Sequence, residues 1–195
     1  MINFQYRKMN ESERHYTLKQ IAKYFLFKNG YNCVAEEVYM FSANELGNKD
    51  ITDTLGIKMR NVYNNGLKGY DQLKFDCMSI ESKQSKQDYY NSFVSSADYN
   101  YVICPKGMLS DKDKFVEGVG LIEVDLDGFE FNRDCNGKIN SKEPFLCGFE
   151  VKKKAKRNKS KNYYLKEDCQ KINLLRQVAY RNTVETLFIR HGIKE

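Results

Sequence analysis

Asp53 and the triplet Glu81-Ser82-Lys83 are the residues of this chain best suited to do chemistry. Glu81 and Lys83 lie two positions apart, so in a strand both project from one face. Asp53 precedes them in another apolar segment. Two carboxylates and a lysine meeting at one end of a sheet can hold a divalent metal ion and set a water beside a phosphodiester. The triplet as a string carries little weight. With 14 Glu and 24 Lys in 195 residues, chance alone gives about two E-x-K triplets. Two occur, the second being Glu150-Val151-Lys152.

The elements around them separate the two. Leu18, Ile21, Ala22, Phe25 and Leu26 recur at helical spacing and predict a helix over 12–29, stopped by Asn29-Gly30. Strands are predicted over 32–41, 51–59 and 73–83. By strict alternation Ile51, Asp53, Leu55 and Ile57 share one face. A carboxylate on that apolar face is costly to bury unless something compensates, and a metal ion is one compensation. The period then changes. Tyr89, Phe93, Val94 and Ala97 predict a helix over 85–97, followed by a strand over 99–105 that Pro105 stops. Strand, helix, strand makes a crossover that sets the third and fourth strands parallel. A further strand is expected over 119–125, a hairpin turn at Asp127-Gly128, short strands within 129–150 and a C-terminal helix over 165–190. The second triplet instead runs into a lysine cluster, with Asp125 or Asp127 as its nearest acidic partner.

The bulk composition fits one domain. A core over 12–105 carries a β extension over 106–150 and a basic segment with the last helix over 151–195. The net charge of +6 is local. Residues 151–161 (VKKKAKRNKSK) hold seven basic residues and no acidic one, and outside them the two signs nearly balance. Such a run is either a solvated loop that keeps the chain soluble or a phosphate-binding patch. In the second case Lys152, Lys153, Lys154, Lys156 and Arg157 would grip nucleic acid beside the active site. The six cysteines form no C-x-x-C pair, and the two histidines complete no zinc pattern. Cys135, Cys147 and Cys169 leave a structural zinc as a minor alternative. Neither a signal peptide nor a membrane-spanning run is present, so the expectation is a cytoplasmic protein, bacterial or phage-encoded, with no membrane partner.

Four stretches resemble known families. Ile51-Thr52-Asp53-Thr54-Leu55-Gly56-Ile57, then Ile80-Glu81-Ser82-Lys83-Gln84-Ser85 with Asp88-Tyr89, stand where the PD-(D/E)xK nuclease superfamily carries its motif. The second of them, with Tyr101-Val102-Ile103-Cys104-Pro105 and Gly120-Leu121-Ile122-Glu123-Val124-Asp125, is similar to the MmcB-like DNA-repair family. The resemblance covers about residues 12–130. It departs from the pattern in two places: no Pro precedes Asp53, and Ser82 stands where an apolar residue is commoner.

The resemblance implies an α/β fold with a restriction-endonuclease-like αβββαβ core. A mixed central sheet is flanked by helices and extended by a β-hairpin and a C-terminal helix. It implies a Mg²⁺- or Mn²⁺-dependent nuclease acting on DNA, with RNA as a second substrate class, in repair, recombination or mobile-element processing. Asp53, Glu81 and the backbone carbonyl of Ser82 would bind metal, and Lys83 would orient the water. Glu37, Gln84 and Asp88 are auxiliary candidates, and Gln87 a further backbone contact. A homodimer is one way to reach two strands. The alternative is a non-catalytic nucleic-acid-binding protein that keeps the nuclease fold. Each residue also has a plainer role. Asp53 could cap a turn, Glu81–Lys83 could be a surface pair worth under about 1 kcal/mol, and Glu37 could be a solvated strand residue. Asp76 is a rival to Asp53 but falls on the other strand face from Glu81.

Overall fold

The computed structural model describes residues 13–41, 49–59, 75–91, 97–127, 130–138, 140, 144, 148–158 and 173–182. The chain opens with α1 (Glu13–Lys28). Glu13 in its first turn and Lys28 in its last complement the helix dipole. Gly30, at φ 81°, closes it. The Tyr31 amide donates to the Leu26 carbonyl at 3.0 Å and the Gly30 amide to Phe27 at 3.0 Å. Those two bonds are the Schellman pattern, and Gly30 supplies the left-handed residue that it needs.

Six strands follow: β1 (Cys33–Phe41), β2 (Lys49–Met59), β3 (Phe75–Ser82), β4 (Tyr99–Pro105), β5 (Gly120–Val124) and β6 (Phe149–Lys153). They form one mixed sheet in the order β1-β2-β3-β4-β5-β6. The first three make an antiparallel meander. β4 runs parallel to β3 and β5 parallel to β4, while β6 returns antiparallel along β5. A short helix, α2 (Lys86–Asn91), makes the crossover from β3 to β4. The expected crossover helix reached residue 97, but residues 92–96 lie outside the described ones. A third helix, α3, is described over 173–182.

Helices cover both faces, which is why β3 and β5 are buried along their whole length. On one face Leu18, Ile21, Ala22, Phe25 and Leu26 of α1 pack on Val34, Met78, Ile80, Tyr101, Ile103, Ile122 and Val124. On the other, Leu174 and Val178 of α3 pack on Ala35, Val38, Met40, Leu55, Ile57 and Cys77. Beside them Tyr89 of α2 packs on Val102, Cys104 and Leu121. The molecule is therefore an α/β fold with a six-stranded mixed sheet between helices.

One expectation fails. Ile51, Asp53, Leu55 and Ile57 do not share a face. Leu55 and Ile57 join the α3 side, Ile51 is exposed, and Asp53 turns to α1. The cause is a local break in the β1–β2 ladder. Pairing runs from Cys33↔Ile57 to Glu36↔Thr54, then resumes at Val38↔Thr52. Between them Glu37 takes a left-handed φ of 54°. Alternation resets there, so Glu36 and Glu37 both meet α1 side chains while Val38 rejoins the face of Ala35. A non-glycine residue in this conformation costs roughly 1–3 kcal/mol.

Candidate active site

β2 and β3 separate at the end that carries Asp53 and Glu81. Their pairing extends from Met59↔Phe75 to Thr54↔Ile80 and stops. Beyond that point the Ser82 amide donates not to a β2 carbonyl but to Asp53 Oδ2, at 2.8 Å. The carboxylate fills the opening between the strands. Glu81, at the same opening, is 5% exposed. Its Oε1 is buried without a hydrogen-bond partner among the described residues. Burial first, and then the Asp53 charge, push its carboxyl up to about 7.

Asp53 has the opposite electrostatics. Burial works against its charged form, but three groups outweigh that and hold its carboxyl below the usual value. His15 Nε2 lies 3.4 Å from Oδ2, Lys19 Nζ lies 3.5 Å from Oδ1, and the Ser82 amide is the third. Lys19 also reaches Glu37 Oε1 at 3.3 Å. His15, Lys19 and Lys23 stand at successive four-residue steps on α1, one row of the helix surface. That row meets Asp53, Glu37 and Glu36, the last through Lys23 at 2.6 Å.

Lys83 is 4% exposed and lies 3.5 Å from Asp88 Oδ1. α2 positions that aspartate. Ser85 Oγ accepts the Asp88 amide at 3.1 Å, and Asp88 Oδ2 accepts the Gln84 amide at 3.2 Å. Ser85 and Asp88 thus cap the helix start from both directions. Gln84 and Gln87 are exposed beside it. The structure therefore gathers Glu37, Asp53, Glu81, Ser82, Lys83 and Asp88 at one region of the sheet.

Sequence reasoning missed His15 and Lys19. A signal was present: Lys19 directly follows Leu18 on the apolar side of α1 and is 1% exposed. A lysine buried that far requires anionic partners. Among the described residues, no three His, Cys, Asp or Glu side chains form a ready metal cage. Cys135 is exposed, and Cys147 and Cys169 lie outside the described residues.

The second triplet falls on the sheet edge. Glu150 and Lys152 pair with each other at 2.9 Å and are 62% and 43% exposed. The basic run begins in β6, and registers place Val151 level with Ile122, Ile103 and Ser82. Three strand spacings put β6 about 14 Å from β3. Lys153 packs over the Phe115 ring and reaches the Val116 carbonyl at 3.5 Å. Lys154 and Lys156 are exposed. Arg157 contacts Asp76 at 3.1 Å and the buried Asp98 at 3.2 Å. Asp76 lies at the start of β3, the end remote from Glu81. So the run leads from the level of the site toward the other end of the sheet.

No family model matches the chain, and no curated protein is similar to it. The solved structure of a protein of unknown function from Silicibacter pomeroyi is similar, with a TM-score of 0.54 at 12% identity, covering 93% of this chain and 94% of that one. That likeness concerns the fold alone. Among the described residues no helix is long and apolar enough to cross a membrane, which says nothing of a β-barrel.

Proposed function

We propose that this chain is a divalent-metal-dependent nuclease with a restriction-endonuclease-like core, hydrolysing phosphodiester bonds of DNA. One observation carries the reading. A buried carboxylate oxygen of Glu81 lacks a partner among the described residues, immediately beside a second carboxylate, Asp53, that is kept ionised. An unpartnered buried oxygen of this kind is expensive unless a proton or a cation completes it, and a divalent cation favours the charged form that can ligate. The oxygen-only donors, Asp53, Glu81 and the Ser82 carbonyl, suit Mg²⁺ or Mn²⁺. The metal would lower the pKa of a bound water and polarise the phosphate. Lys83, which lies 3.5 Å from Asp88, would orient an attacking water and offset the charge that builds on the phosphate. His15 and Lys19 hold Asp53 in its charged form, ready to ligate.

The αβββαβ order, with the carboxylates on β2 and β3, supports the same reading. The basic Lys152, Lys153, Lys154 and Lys156 provide a surface for the phosphate backbone. Cleavage of single-stranded, duplex and branched DNA with Mg²⁺ or Mn²⁺ tests the proposal. Loss of cleavage in Asp53→Ala and Lys83→Ala, with the fold intact, is expected; unchanged cleavage overturns it.

A second reading is a nucleic-acid-binding protein that has lost catalysis. The observation in its favour is that both Asp53 oxygens already have partners within the chain. Calorimetry with Mg²⁺ and Mn²⁺ separates the two, since the non-catalytic form binds nucleic acid but no metal.

A further inference from the structure

Lys19 is the least expected charge in the molecule. It is 1% exposed and sits between Glu37 Oε1, at 3.3 Å, and Asp53 Oδ1, at 3.5 Å. The arrangement is built from two directions. The helix row that begins at His15 brings Lys19 to the sheet. The left-handed Glu37 turns its carboxylate toward α1 rather than leaving it on the opposite face. The backbone is thus bent to bring a third carboxylate near Asp53, and a lysine lies between the two.

Two carboxylates sharing a cation are the means by which oxygen-rich sites hold a metal ion. Here the shared cation is an ammonium. A divalent ion in the same place would meet a fixed positive charge at close range, on the side where Lys19 and Asp53 are 2% and 20% exposed and Glu37, at 41%, opens to solvent. On the other side of Asp53 the balance is reversed. Glu81 Oε1 is buried with no hydrogen-bond partner among the described residues.

We infer that the Lys19 ammonium takes the place of a second divalent cation between Glu37 and Asp53, so that this chain holds a single metal ion, shared by Asp53 and Glu81. Lys19 is then a positioning residue: it fixes Asp53 and Glu37 and sets the metal count. The inference rests on the metal-dependent reading above and deepens it.

The test counts metal. Mn²⁺ is titrated into the full-length chain and followed by calorimetry and electron paramagnetic resonance. The wild type is expected to bind one Mn²⁺ with no spin coupling. Lys19→Gln is expected to bind two, with the broadened, dipole-coupled spectrum of a close pair, and Lys19→Arg to bind one. Two Mn²⁺ in the wild type overturn the inference and leave the metal-dependent reading standing. One Mn²⁺ in a folded Lys19→Gln also overturns it, because a merely structural lysine would not change the count. If Lys19→Gln does not fold, Lys19→Met and Lys19→Ala are counted in the same way, two Mn²⁺ supporting the inference and one overturning it. No Mn²⁺ in any variant overturns the metal-dependent reading itself.

Discussion

Asp53 Oδ2 accepts the backbone amide of Ser82 at 2.8 Å, at the point where β2 and β3 cease to pair. A side chain stands in for a strand. Asp53 therefore has a structural duty beside any chemical one, because its loss leaves the Ser82 amide without that acceptor. Asp53→Ala is expected to lower stability by about 1–3 kcal/mol. Asp53→Asn, whose amide oxygen can still accept, should lose less than half as much. Denaturant titrations measure both. If the Asn variant is as unstable as the Ala variant, the carboxylate charge rather than the amide bond dominates.

Glu81 gives stability a pH dependence of definite sign. Burial and the Asp53 charge raise its carboxyl to about 7. The folded chain thus keeps a proton that the unfolded chain has released. The contribution is fully present below about pH 4.5 and is lost as pH rises through 7. It amounts to roughly 3 kcal/mol over that window. In chelator, Glu81→Gln should be more stable than the wild type at pH 8 and nearly equal to it at pH 4. Added Mg²⁺ favours the charged form, so it should stabilise the wild type more at pH 8 than at pH 5.5. A wild type whose stability relative to Glu81→Gln is flat with pH would contradict the raised carboxyl.

The strand that ends in Glu81-Ser82 was legible because a strand buried along its whole length reads as an apolar run. The order of elements followed for the same reason: helical and strand periods alternate clearly in residues 13–105. The orientation of Asp53 was not legible. It depends on the left-handed Glu37, and nothing local in the sequence Glu36-Glu37-Val38 marks a break. Lys19 and His15 were hidden by distance, since α1 meets β2 only through the tertiary fold. The basic run looked uniform as a string. Pairing splits it into an edge strand, exposed lysines and an arginine bound to buried acids.

Among the described glycines, Gly120 has the least room for a side chain. A Cβ there would lie 2.3 Å from the Tyr101 ring and 2.8 Å from the Ala155 amide nitrogen. Tyr101 packs against Phe25 of α1, with ring centroids 5.5 Å apart, so it has little room to move. Gly120→Ala should lower stability by about 1–3 kcal/mol through overpacking. Thermal melts measure it. Gly148→Ala, where a Cβ would meet nothing within 4 Å, serves as the control and should change little.

α3 is expected to be part of the folding unit rather than an appendage. Leu174 is 2% exposed and packs with Val178 onto the β1–β3 face. Leu174→Ala should cost about 2–5 kcal/mol, the range for an aliphatic side chain removed from a core. A single cooperative unfolding transition, shifted to lower denaturant, is the expected result. An unchanged midpoint would place α3 outside the cooperative unit.

The basic run should divide into two kinds of residue when it is mutated. Arg157 faces Asp98, which is 5% exposed and also accepts the Cys77 amide at 2.9 Å, and Asp76, which is also buried. Removing the guanidinium leaves two buried carboxylates to share a desolvated site. Because Arg157 itself is partly exposed, solvent softens the loss, and Arg157→Ala should cost about 1–2 kcal/mol. Lys154 and Lys156 are exposed, and their charge is available to phosphate. Reversing both, as Lys154→Glu with Lys156→Glu, should leave the melting temperature nearly unchanged. DNA affinity at low salt should fall, and the slope of log affinity against log salt should flatten by about two phosphate contacts' worth. Fluorescence anisotropy across a salt series measures the slope, and thermal melts measure stability. A double reversal that leaves the slope intact would remove these lysines from the nucleic-acid surface.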